Sequence, residues 1–194
     1  MLDDLVIKDA LRYLGAKADD CEAKALLEKV LNDNRSAFSP RHVTAFFKVE
    51  QLAPVITFFG TEVTLAGEAI RRCFQGATEG LFSAFTLGIA FDKKVRELSL
   101  THPSESVALN AIGSAYAERR ADEMLKIVRD EKEKQGFKTT FRFCPGYGDL
   151  PMSVNLKIAT ALNAAKRIGL TVTEEGLLLP VKSIVGVCAC IPVK

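Results

Sequence analysis

The chain carries almost no excess of charge of either sign, with 26 basic residues against 24 acidic ones and a formal net charge of +2. That balance removes the electrostatic case for nucleic acid, whose partners present a concentrated basic face. Long apolar runs are also missing. The most apolar stretch, residues 183–193, falls well short of the roughly 20 residues a spanning helix needs, so no membrane insertion is expected. The opening MLDDLVIKDALRYLG sets Asp3 and Asp4 where a secretory signal sets Lys or Arg ahead of an apolar run. Cysteines are few, odd in number and scattered: Cys21, Cys73, Cys144, Cys188 and Cys190. They argue against a disulfide framework, and a cytoplasmic chain with reduced thiols is the expectation. The two histidines, His42 and His102, lie far from Cys188-Ala189-Cys190, so that thiol pair lacks the further ligands a metal site needs. It reads instead as small buried residues on one face of a strand. No glycine-rich Rossmann fingerprint is present, which argues against a doubly wound nucleotide fold.

What is present suits one domain spanning 1–194. The 194 residues are 48% hydrophobic and 26% charged, enough length and apolar content for a real core. Helical periodicity marks residues 4–14 and 23–31. Strand-like runs follow at 42–49 and 55–59, then a short helix at 67–74, a strand at 80–87 and a helix at 91–98. The longest element is a helix over about 104–135, with Ser104 or Ser106 placed to cap it. Its far end, Arg129 to Lys134, is almost wholly charged and reads as solvated. A strand over 138–143, a helix from Pro151 through Arg167 and an apolar closing strand over 183–191 complete the pattern. This order predicts an α+β fold with a curved, largely antiparallel sheet packed with helices.

The chemistry concentrates in Arg142-Phe143-Cys144-Pro145-Gly146-Tyr147-Gly148. A guanidinium at a strand end grips a carboxylate through two parallel hydrogen bonds, which lysine cannot do. Gly146 and Gly148 remove side chains where backbone approaches a ligand, and they permit positive φ. Tyr147 adds a flat surface with a hydroxyl. Asp149 is placed to cap the helix that follows. Such a set suits a small amino-acid-like ligand. Taken alone it reads first as a strand-to-helix turn, with Arg142 in a surface ion pair.

The surrounding segments resemble the activation domain of cobalamin-dependent methionine synthase, here in a stand-alone short form. There an Arg-Pro-x-Pro-Gly-Tyr segment precedes a helix, a Gly-x-x-Leu-Thr-Glu segment and a Pro-x-x-Ser-Val-Ser-Gly strand. The counterparts here are Arg142–Tyr147, Gly169-Leu170-Thr171-Val172-Thr173-Glu174 and Pro180–Gly186, with Glu118 on the long helix upstream. The family's further acidic ligand residue near its start and its aromatic one beyond the closing strand are not matched. The resemblance implies that Arg142 binds the carboxylate of S-adenosylmethionine. It also implies that Cys144 and Gly146 offer backbone contacts, that Tyr147 packs near the ligand, and that Glu118 supplies negative charge near the ammonium or sulfonium. It implies no acid–base residue and no metal site. The cobalamin belongs to a separate corrinoid-binding methionine synthase or related corrinoid methyltransferase, since His42 and His102 lie outside the Asp-x-His-x-x-Gly pattern that supplies a cobalt ligand. An external electron donor is the remaining partner. The alternative is a non-catalytic scaffold of the same fold that binds a corrinoid protein and has lost the methyl donor.

Overall fold

The computed structural model describes residues 2–193; Met1 and Lys194, the ends of the expected 1–194 domain, lie outside them. Two helices come first, α1 (Leu2–Tyr13) and α2 (Cys21–Asp33), the second capped by the Asp20 carboxylate, which accepts from Ala23 N at 2.9 Å. Strands β1 (Arg41–Gln51), β2 (Ile56–Phe58) and β3 (Thr64–Leu65) form a meander. Then come α3 (Glu68–Cys73), β4 (Glu79–Thr86), α4 (Ile89–Thr101), α5 (Pro103–Lys134) and β5 (Phe137–Thr139). The last part holds α6 (Val154–Ala161), α7 (Ala164–Ile168), the hairpin β6 (Thr171–Val172) and β7 (Leu178–Leu179), and β8 (Ser183–Pro192). The six-stranded sheet runs β3-β2-β1-β4-β8-β5, every pair antiparallel. The α+β fold expected from the sequence is the one observed.

Alternation along β4 and β8 explains why both carry apolar residues on both faces. Phe82, Ala84, Val185 and Val187 face a core shared with α3, α6 and α7. Leu81, Phe85, Cys188 and Cys190 face the other way, toward α5 and the helices beside it. A strand covered by helices on both faces has no polar side to show.

Several boundaries differ from the sequence reading. Pro103 itself begins α5, with His102 before it and no side-chain cap; Ser106 instead donates to Val95 O at 2.9 Å, fastening α5 to α4. The charged end of α5 is not wholly solvated. Lys132 is buried, paired with Glu79 at 2.7 Å and set over the rings of Phe46 and Phe137 at 4.7 and 4.0 Å. The single helix expected from Pro151 to Arg167 is two, broken at Asn163 in the left-handed region (φ 52°). Leu162 and Ala164 are both buried in one core, and residues two apart cannot share a face of one helix. Asparagine tolerates the conformation that resolves the conflict.

Candidate functional site

The strand expected over 138–143 stops at Thr139 because Thr140 takes over the ladder. Its N–H donates to Ala189 O at 3.0 Å, and its hydroxyl accepts from Ala189 N at 2.9 Å. Pairing resumes at a single bridge, Phe143 to Val187. Four steps from Thr139 to Phe143 therefore oppose three from Cys190 to Val187. One extra residue reverses the facing of every side chain after it. Phe143 consequently packs on the α6 side with Val187, and Arg142 turns to the α5 side.

Room for Arg142 comes from Gly186. In the α5-facing row of β8 (Ile184, Gly186, Cys188, Cys190) it alone has no side chain. A Cβ there would stand 2.6 Å from Arg142 Cγ and 2.9 Å from Cδ. With its stem lying in that gap, the Arg142 side chain is only 11% exposed. Its Nη2 hydrogen-bonds the Glu118 carboxylate and lies 3.3 Å from Asp122 Oδ1. Its Nη1 is buried and has no hydrogen-bond partner among the described residues. Burial opposes the charge on this guanidinium, but the groups facing it (Cys144, Glu118 and Asp122) outweigh that penalty and raise its pKa. Burial also pushes the Cys144 thiol up. A neutral thiol carries no charge, so the two carboxylates are what hold the guanidinium.

Beyond the bridge the chain folds on itself. Gly146 N donates to Leu150 O at 2.8 Å, and Tyr147 N to Cys144 O at 3.2 Å. Gly146 (φ 94°) and Gly148 (φ 59°) adopt the conformations that this tight turn demands. Asp149 does not cap the helix that follows. Its carboxylate accepts from the backbone N–H groups of Glu68 and Ala69, capping α3 and tying the turn to an element 80 residues upstream. The N-cap of α3, Gly67, has no side chain to do this itself.

Glu118, Cys144 and Tyr147 line one cleft of about 410 Å³, a size within the usual range for small-molecule sites. The far wall is the β6–β7 hairpin, locked to the start of α6. Asn155 Nδ2 donates to Gly176 O at 3.0 Å, and Gly176 packs so closely that a Cβ would fall 2.2 Å from Met152 O. Asn155 Oδ1 is buried beside this cleft without a partner. Leu177, Leu179, Val181, Met152 and Tyr147 are exposed around the mouth. Among the predicted site residues, then, Glu118, Cys144 and Tyr147 come together, with Gly146 in the turn between the last two. Arg142 stands beside them but faces the adjacent hollow of about 660 Å³, with Asp122, Arg129 and Phe141. Gly186, Asn155, Gly176 and Asp122 were not among the site residues expected from the sequence. Only Asp122 carried a readable signal, an acidic residue one helical turn from Glu118.

Elsewhere, Cys188 and Cys190 are buried against Leu125, and burial pushes their thiols up to about 12 and about 11. His42 lies in β1, its pKa lowered first by burial and then by Arg120. Among the described residues no group of three or more His, Cys, Asp or Glu could hold a metal ion, and no helix is long and apolar enough to cross a membrane.

No protein-family model and no curated protein matches the chain. Among solved structures it resembles a crystal structure of the MetH reactivation domain bound to AdoHcy. The two are 17% identical with a TM-score of 0.69, over 94% of this chain and 70% of that one. A likeness at this identity establishes the shared fold.

Proposed function

We propose that this chain binds S-adenosylmethionine and supports the reductive methylation, and hence reactivation, of cob(II)alamin on a separate corrinoid-dependent methionine synthase or related corrinoid methyltransferase in the cytosol. The observation that carries the reading is the joining of Glu118, Cys144 and Tyr147 around one cleft, with the buried Arg142 guanidinium hydrogen-bonded to Glu118. The fold shared with a reactivation domain that binds AdoHcy supports it.

The residues present fit this ligand. An α-amino-acid end carries a carboxylate beside an ammonium, the charge complement of Arg142 beside Glu118. Binding sets the ligand's carboxylate against Arg142 and its ammonium against Glu118 in two charge-assisted hydrogen bonds, and such bonds are stronger in a partly dry cleft than in water. The turn uses the Gly146 N–H and the Cys144 carbonyl internally, leaving the Cys144 N–H and the Gly146 carbonyl for ligand contact. Tyr147, Leu177 and Leu179 supply apolar area for the adenosine portion. When bound, S-adenosylmethionine supplies the methyl group that the partner's cobalt receives after reduction by an external electron donor. This chain contributes orientation and exclusion of water, and no general acid or base is required.

Calorimetric titration tests the proposal. Wild-type protein is expected to bind S-adenosylmethionine, and Arg142→Ala to lose at least tenfold in affinity, in line with truncation of a buried charge partner. Absence of binding at millimolar ligand, or equal affinity in Arg142→Ala, overturns it. One observation favours a second reading, a corrinoid-protein scaffold without the methyl donor: Arg142 is already neutralised by two carboxylates and does not line the cleft. Capture of a corrinoid protein by a chain that binds no S-adenosylmethionine is the outcome that selects this second reading.

A further inference from the structure

The donor cleft and the neighbouring hollow lie on either side of the Arg142–Glu118 pair. Glu118 lines the cleft; Asp122 and Arg142 line the hollow. The two carboxylates stand one helical turn apart on α5, so both reach the same nitrogen, Nη2. The stem is seated over Gly186, so any redirection of the charge between cleft and hollow falls to the planar fork. The buried Nη1, without a partner, is a donor that a third carboxylate would satisfy.

We propose that Asp122 is a positioning residue that holds the Arg142 guanidinium toward the hollow while the cleft is empty, and so competes with the ligand's carboxylate and sets the affinity for it. This rests on the reading of Arg142 as the carboxylate anchor. For the fork to meet a carboxylate in the cleft it must leave Asp122 and stay near Glu118. Asp122 is the partner that releases at little cost: its side chain is 69% exposed against 45% for Glu118, and its contact is the longer one. Once released it is fully hydrated. An opposite role, in which Asp122 pre-aims the fork at the ligand, gives the opposite sign on removal, so the direction of the effect decides.

Titrations of wild type, Asp122→Asn, Asp122→Glu and Arg142→Ala with S-adenosylmethionine, S-adenosylhomocysteine and decarboxylated S-adenosylmethionine test it. Asp122→Asn is expected to tighten binding of the two carboxylate-bearing ligands by about two- to fivefold, the range set by an exposed ion pair. It leaves affinity for the decarboxylated ligand unchanged, and Asp122→Glu returns the wild-type value. Unchanged or weakened binding in Asp122→Asn, or an equal gain with the decarboxylated ligand, overturns this inference alone. Failure of every variant to bind S-adenosylmethionine overturns both it and the functional reading beneath it.

Discussion

Gly186→Ala is the substitution whose effect follows most directly from the geometry. The added Cβ would lie 2.6 Å from Arg142 Cγ, 2.9 Å from Cδ and 3.2 Å from Phe143 O. Carbon atoms in contact prefer about 3.5–4.0 Å, so the arginine stem must move by about 1 Å, and the backbone oxygen leaves it little help from the strand. Overpacking of this kind costs about 1–3 kcal/mol. In a chain of this size each kcal/mol lowers the melting midpoint by about 2–4 °C, for a total fall of about 2–12 °C. The diagnostic is a double-mutant cycle read by thermal unfolding. In an Arg142→Ala background the two worst overlaps vanish and only the contact with Phe143 O remains, so Gly186→Ala should cost less than half as much there. An equal loss in both backgrounds would refute the claim that Gly186 exists to seat Arg142.

Two further outcomes follow. Asp149→Ala removes the cap on α3 and should cost about 1 kcal/mol of stability, measured by denaturant unfolding, while the isosteric Asp149→Asn retains most of it; equal stability of Asp149→Ala and wild type contradicts the assignment. Cys188 and Cys190, pushed up to about 12 and about 11 from 9.0 by burial, stay protonated at pH 8 and should resist alkylation in the folded protein while the exposed Cys21 reacts. Because the folded values are raised, their contribution to stability is complete below about pH 9 and is lost as pH rises through the folded values. Mass spectrometry after iodoacetamide treatment, and unfolding between pH 8 and 11, check both halves.

Periodicity and punctuation made most of the elements legible. The long α5, the two-sided apolar β8 and the turn at Gly146 and Gly148 each follow from local rules, and local rules sufficed. What was not legible depends on partners distant in the chain. Asp149 sits where a cap for the next helix belongs, yet α3 begins at a glycine with no cap of its own and takes the carboxylate instead. Lys132 belongs to a charged run, but the turn into β5 sets Phe137 beside it and the start of β4 supplies Glu79. The one-residue slip at Thr140 decides which face Arg142 occupies, and it arises from a threonine hydroxyl competing with a backbone ladder, which no pattern of hydrophobicity records. The site shows the same division. Glu118, Arg142, Cys144, Gly146 and Tyr147 were expected from a resemblance in motif order, whereas Gly186 and Gly176 are noticed through close approach and Asn155 through its hydrogen bond to Gly176 O.

A crystal structure of this chain grown with S-adenosylhomocysteine decides whether the cleft beside Arg142 holds the amino-acid end of such a nucleoside. Ligand density is expected between Tyr147 and the β6–β7 hairpin, with its carboxylate hydrogen-bonded to the Arg142 guanidinium and its ammonium near Glu118. An empty cleft at saturating ligand, or a ligand whose carboxylate lies away from Arg142, would contradict it.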